Sequence, residues 1–148
     1  MTHVALDSNI LVYAELEPES DKGRRAADLI LQAARDGLIP IQVLGEFLRA
    51  VQRRSPPSFE DAIRQAALYR AAFLTSPTTD AVMTLAAELA LAHQLQVWDG
   101  VVCAASAKAG AKVLLTEDLQ DGRMLEGMRL INPFVSRNDQ AIERLFAA

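Results

Sequence analysis

Short apolar runs alternating with stretches of helical periodicity constrain this chain more than any other feature. The first run is His3-Val4-Ala5-Leu6, which stops at Asp7. Leu38-Ile39-Pro40-Ile41 is a second, with Pro40 suited to an edge or a strand end. Residues 112–116 form a third and residues 129–132 a fourth, the latter followed by Pro133. Residues 95–98 fit either a short strand or a loop. Helices fill the intervals. Residues 9–16 form a short one, and residues 21–36 carry Ala26, Leu29, Ile30 and Ala33 at helical spacing, with Gly37 as the stop. Residues 42–54 set Val43, Leu44, Phe47, Leu48 and Val51 on one face. Ser58 opens another helix, with Asp61 three residues on in the pattern of a capping box. Residues 79–93 turn Val82, Leu85, Ala86 and Leu89 inward. Asp99 opens an alanine-rich helix that Gly110 closes, and residues 137–147 form a terminal helix. Strands alternating with helices predict an α/β fold of three layers, a central parallel β-sheet flanked by helices.

The 148 residues suit one domain spanning the whole chain, 1–148. A domain of that size buries roughly 70% of its unfolded surface and needs no disulfide or structural metal. Cys103 is the only cysteine, so no internal disulfide forms, which suits a reducing cytoplasm. The first residues lack the basic and apolar regions of a secretory signal, and no apolar stretch reaches the about 20 residues of a membrane span. The expected location is therefore cytoplasmic, away from membranes. Acidic side chains number 19 against 15 basic ones, for a net charge of -4. Proteins that bind nucleic acid through its phosphates are ordinarily basic. Either the partner is not nucleic acid, or bound divalent cations supply positive charge at the site.

Four acids stand where such a sheet would gather them. Ligand sites of open α/β sheets form outside the carboxyl ends of the strands. Asp7 directly follows the first run, and Asp118 follows Val113-Leu114-Leu115, just past Thr116-Glu117. Asp99 begins a helix, where the backbone dipole favours negative charge. Glu46 lies just past the edge of its helix's apolar stripe. Carboxylates brought into one crevice raise each other's pKa. Mg²⁺ or Mn²⁺, which take oxygen ligands, would relieve that repulsion. Beside a phosphate, such a cation also offsets developing charge and improves water as a nucleophile. Each acid has a plainer role open to it as well. Asp7 and Asp99 each precede a helix, and Asp is a favoured N-cap. Asp118 sits in a turn, where Asx turns are common, and Glu46 suits a solvated helix face.

Five segments run in order along nearly the whole chain. They are Asp7-Ser8-Asn9-Ile10-Leu11-Val12-Tyr13-Ala14, Gly45-Glu46-Phe47, Trp98-Asp99, Leu114-Leu115-Thr116-Glu117-Asp118-Leu119-Gln120-Asp121-Gly122 and Asn132-Pro133-Phe134. Together they resemble the acidic motifs and the ending of the PIN-domain family, and within it the VapC-type toxins of type II toxin–antitoxin pairs. The resemblance implies a PIN-like fold and an endoribonuclease dependent on Mg²⁺, with Mn²⁺ able to substitute. It implies Asp7, Glu46, Asp99 and Asp118 as the site acids, of which Asp7, Asp99 and Asp118 hold the metal. Asn9 and Thr116 match positions that orient those acids by hydrogen bonds, and Asp121 matches an extra acid of many members. A homodimer, an RNA substrate and a small inhibitory antitoxin are implied too. The chain departs from the pattern at Gly45, where relatives often carry Asn or another polar residue.

Other classes fit less well. A non-catalytic interaction module of the same fold would be expected to have lost some of the acids. A metal-dependent phosphatase of the haloacid dehalogenase type needs a second Asp where Asn9 stands. A response-regulator receiver needs an Asp ending a central strand in an order this chain lacks. His3 and His93 are the only histidines, which disfavours a His-based zinc site. Cys103 suits a small buried hydrophobe. Lys22, Arg24 and Arg25, and Arg49, Arg53 and Arg54, are local basic groups that fit a solvated face or contact with RNA phosphates.

Overall fold

Strand β1 (His3–Leu6) occupies the interior of a six-stranded sheet in the computed structural model, which describes residues 3–147. Val4, Ala5 and Leu6 are buried in succession, so both faces of the strand are covered. The other strands are β2 (Leu38–Pro40), β3 (Leu74–Ser76), β4 (Ala111–Leu115), β5 (Met124–Leu125) and β6 (Met128–Ile131). Their order is β3-β2-β1-β4-β6-β5, parallel throughout except for the short antiparallel pair of β5 with β6. The helices are α1 (Ser8–Leu16), α2 (Asp21–Ala33), α3 (Ile41–Arg54), α4 (Phe59–Ala72), α5 (Asp80–His93), α6 (Val97–Lys108) and α7 (Asp139–Phe146). The fold is α/β, a mostly parallel sheet flanked by helices, as the alternation predicts.

From β1 the chain builds outward through β2 to β3, then returns through α5 and α6 to place β4 on the other side of β1. The direction of winding reverses between β1 and β4, which opens a crevice at their carboxyl ends. A helix leading into a parallel strand runs opposite to it, so α6 begins at that same edge. Helices α1 and α3 follow directly on β1 and β2 and also start there.

Apolar burial holds these pieces in place. Leu6, Ile10, Leu29, Ile39, Phe47 and Leu114 are among the fully buried side chains. Burying one such side chain contributes about 1.5–3 kcal/mol. Phe47 of α3 meets Tyr69 of α4 edge-on at 5.8 Å, and Tyr69 meets Phe73 at 6.3 Å. Helices α5 and α6 approach tightly at Gly100, where an added Cβ would lie 2.7 Å from the carbonyl oxygen of Ala86. Among the described residues, no helix is long and apolar enough to cross a membrane.

The structure departs from the sequence expectations at several points. Strands β3 and β5 were not expected; Leu74 is the only apolar residue of β3 and is 56% exposed, so it carries no core pattern. Residues 95–98 form no strand. Gln94 turns left-handed at φ 53° to end α5, and α6 starts at Val97. Ser58 makes no capping box: its backbone is already helical, its hydroxyl bonds Ser55 at 2.8 Å, and Asp61 pairs with Arg64. Helix α2 ends at Ala33, short of residue 36.

The close approach at Gly100 yields a direct test. Gly100→Ala should destabilise the protein by about 1–3 kcal/mol, because the backbone of α5 must move away. Urea unfolding measures it, and an unchanged midpoint would show that the two helices separate freely.

Candidate active site

Leu6 of β1 pairs with Leu115 of β4. The next residue of each strand, Asp7 and Thr116, therefore emerges beside the other at the carboxyl edge. Backbone bonds extend the ladder by one step, from Asp7 N–H to Leu115 O at 3.0 Å and from Thr116 N–H to Ile131 O at 3.0 Å. The Thr116 hydroxyl donates to Asp7 Oδ2 at 2.7 Å, and Ser8 N–H donates to Asp7 Oδ1 at 2.7 Å. Asp7 thus caps α1 and faces the crevice at once.

The loop after β4 closes the arrangement. Asp118 N–H donates to the Thr116 hydroxyl at 3.2 Å, and Asp118 Oδ2 accepts from Asn9 Nδ2 at 3.1 Å. One hydroxyl therefore links Asp7 to Asp118, and Asn9 in the first turn of α1 steadies the second acid. Asp99 is the third residue of α6 and does not open it. Gln96 is the cap, its side-chain oxygen accepting from Trp98 N–H at 2.8 Å and Asp99 N–H at 3.2 Å. The Asp99 carboxylate is left free of that duty. Glu46 stands in the second turn of α3, half-buried, and its Oε1 is buried without a hydrogen-bond partner.

The charges report one shared crevice. Asp7 is only 4% exposed, and burial pushes its carboxyl up to about 6. The bonds from Thr116 and Ser8 hold it down in part, while Asp118 and Asp99 raise it further. Burial also lifts Glu46 to about 7, with Asp7, Asp99 and Asp118 adding to the effect. Asp99 is raised by burial and then by Asp118.

These residues suit a divalent cation. The donors are hard oxygens, and two buried oxygens without a partner, Glu46 Oε1 and Asn9 Oδ1, belong to this same group of side chains. Among the described residues, no three His, Cys, Asp or Glu side chains close on a single point tightly enough to hold an ion unaided.

Nearby acids are differently placed. Asp121 accepts from Asn132 N–H at 2.9 Å, Asn138 Nδ2 at 3.0 Å and Arg137 at 2.7 Å, which lowers its pKa and ties the segment before α7 to the loop. Glu117 bonds Lys22 and the Tyr13 hydroxyl, and these bonds outweigh partial burial to lower its pKa. Lys22 also lies 5.2 Å from the Tyr13 ring centre and 5.7 Å from that of Phe134. Cys103 is buried in α6, where burial, then Asp7 and Asp99, push its thiol up to about 12. Sequence reasoning passed over Gln96, Tyr13, Arg137 and Asn138 in these roles. A polar residue three positions before Asp99 was the one local signal, and the others act across long sequence separations. A separate cavity of about 300 Å³, lined by Val4, Asp36, Arg144 and Phe146 among others, lies at the opposite edge and contains none of the four acids.

A mostly parallel sheet with acids at its winding reversal defines a class of α/β domain, and comparison with known proteins makes the class definite. The PIN-domain model matches residues 4–120, and the chain belongs to the PIN-domain family. Its members are typically nucleases and generally use divalent metals. No curated protein matches the chain significantly. Among solved structures it is similar to VapC20 of Mycobacterium tuberculosis, described as a toxin that cleaves the sarcin–ricin loop. That likeness has a TM-score of 0.65 at 18% identity and covers 78% of this chain and 89% of that one. It is similar as well to a toxin–antitoxin complex from Klebsiella pneumoniae, with a TM-score of 0.66 at 17% identity, covering 88% and 98%. DNA-bound VapBC from Salmonella typhimurium gives 0.64 at 15% identity, covering 88% and 97%. At these identities the likeness is one of fold.

The raised carboxyls set a pH dependence. A carboxyl whose pKa is higher folded than unfolded stabilises the fold while protonated, and that stability is lost as pH rises through the folded value. For Asp7 the window runs from 3.8 to about 6, and for Glu46 from 4.5 to about 7. Metal-free protein should therefore lose on the order of 2–3 kcal/mol through Asp7 between pH 4 and pH 7. Asp7→Asn keeps the capping oxygen and should flatten that loss. Urea melts in EDTA across the range test this, and equal slopes for both proteins would refute it.

Proposed function

We propose that the protein is a metal-dependent endoribonuclease and the toxin of a VapBC-type toxin–antitoxin pair. The observation that carries the proposal is the linkage of Asp7 through the Thr116 hydroxyl to Asp118, with burial and neighbouring acids raising Asp7, Glu46 and Asp99, at the reversal between β1 and β4. Asp7, Asp99 and Asp118 would hold Mg²⁺ or Mn²⁺, partly through water. Such a cation supplies a Lewis acid beside the phosphate and a more acidic water.

The chain's own groups provide the rest. Thr116 and Asn9 fix the orientations of Asp7 and Asp118. Glu46, half-buried with Oε1 free of a hydrogen-bond partner, would ligate through water or help take the proton from the attacking water. The water oxygen would bond to phosphorus, the bond from phosphorus to the 3′-oxygen would break with that oxygen taking a proton from solvent water, and a 5′-phosphate and a 3′-hydroxyl would result. The chain has only His3 and His93, which offers no histidine pair for attack by the ribose 2′-hydroxyl.

Asp7→Asn separates metal holding from helix capping, because Asn keeps the shape and the capping oxygen but loses the charge. Cleavage of RNA should fall to background in the variant and in EDTA, with the circular dichroism spectrum unchanged. Full activity in either condition would sink the mechanism.

A crevice of carboxylates with Asp118 exposed at its mouth also invites an Arg or Lys from an inhibitor, and the similar structures include toxin–antitoxin complexes. A homodimer bound by a small antitoxin across the crevice is the expected assembly. Co-expression with the product of a neighbouring short gene should relieve growth arrest, and arrest that persists with that product soluble would remove the toxin reading.

A further inference from the structure

Helix α1 grips the loop after β4 at two consecutive residues. Asn9 and Tyr13 stand four positions apart on that helix, about 6 Å along its axis and on one face. Asn9 Nδ2 donates to Asp118 Oδ2 at 3.1 Å, and the Tyr13 hydroxyl donates to Glu117 Oε1. Lys22, in the first turn of α2, bonds the other carboxylate oxygen of Glu117, Oε2. The Lys22 ammonium also stands 3.4 Å from the Tyr13 hydroxyl. Both oxygens of Glu117 are thus engaged. An aromatic pair backs the clamp: Tyr13 meets Phe134 edge-on at 5.2 Å, with Lys22 over both rings.

Two physical arguments give this clamp a role beyond holding the fold. The Lys22 and Glu117 side chains are 48% and 22% exposed, and ion pairs at such positions add little to stability. A reacting centre is far less tolerant, since a group misplaced by about 1 Å can cost on the order of a hundredfold. Glu117 is also the natural rival of Asp118. It is adjacent in sequence, carries the same charge and offers the same hard oxygens. Released from Lys22 and Tyr13, it would compete for a cation and draw the loop away from Asn9.

We propose that Lys22 and Tyr13 are positioning residues for the cation site. By holding Glu117 they fix Asp118 against Asn9 and keep the neighbouring carboxylate out of the crevice. This rests on the metal-dependent reading of the four acids and adds to it two residues that act through Glu117. The sign of the effect separates positioning from charge. Lys22 is a positive group bonded to the residue next to Asp118, so by charge alone its removal would strengthen cation binding. Through the clamp, its removal weakens binding.

Calorimetric titration of Mn²⁺ into the metal-stripped full chain tests the proposal. Lys22→Met should weaken Mn²⁺ binding roughly ten- to hundredfold, as the loss of an outer partner of a metal ligand does. Lys22→Arg, which keeps a charged donor on Glu117, should recover most of that loss. Tyr13→Phe removes only the hydroxyl and keeps the ring against Phe134, so it should weaken binding while leaving the urea midpoint close to the wild type. The Mn²⁺ concentration for half-maximal RNA cleavage should rise with the dissociation constant, with KM for RNA unchanged. Arg64→Ala, which breaks an exposed ion pair of α4, should leave Mn²⁺ affinity unchanged. If the wild type binds Mn²⁺ and cleaves RNA, but Lys22→Met and Tyr13→Phe bind Mn²⁺ as tightly or more tightly, the clamp has no such role and the ribonuclease reading stands. An equal loss of affinity in Arg64→Ala would overturn the proposal too. A wild type that binds no Mn²⁺ would overturn both.

Discussion

The pairing of β1 with β4, with Leu6 opposite Leu115, is the constraint on which the site depends. Side chains alternate along a strand, so a slip of one residue would turn Asp7 and Thr116 away from each other. Burial of consecutive residues on both strands locks the register, because either slip would move several apolar side chains at once. The 2.7 Å bond between Thr116 and Asp7 is thus a product of the core. Positions in the crevice follow from the same geometry. Helices α1, α3 and α6 each begin at the edge where those strands end, and each carries polar or acidic residues in its first two turns.

The structure divides its acids into two populations. Glu117 and Asp121 are compensated, by Lys22 and Tyr13 in one case and by Arg137, Asn138 and a backbone N–H in the other. Asp7, Glu46 and Asp99 are raised by burial and by neighbouring acids. Glu117 and Asp118 are adjacent in sequence yet bond different partners, Lys22 and Tyr13 for the first and Asn9 for the second. A local excess of negative charge is unfavourable to the folded state, and the apolar interior offsets it. It is also what a cation would neutralise.

Much of this was legible in the residues. Val4 to Leu6 and Val113 to Leu115 announce interior strands because both faces are buried, and helical periodicity marks most of the helices. The four acids could be named from their places after strands and on helices, and from the family motifs that surround them. What escaped had physical causes. Strand β3 forms by backbone pairing at an edge, where Leu74-Thr75-Ser76 needs no apolar pattern. Asp99 looked like the start of α6 because Asp caps helices well, whereas Gln96 reaches the same N–H groups with a longer side chain. The clamp on Asp121 joins residues 11 to 17 positions apart in the chain, and no local pattern announces it.

The sheet order also fixes when the site can exist. Strand β1 is made first, but one of its two neighbours is β4, which begins at Ala111. A chain emerging residue by residue can pair β1 with β2 early, yet it leaves the other edge of β1 bare until β4 has been made. Asp7 is synthesised more than a hundred residues before Asp118 and the Thr116 that joins them. The assembled crevice therefore waits for β4, and a nascent fragment that ends before it holds Asp7, Glu46 and Asp99 without the arrangement.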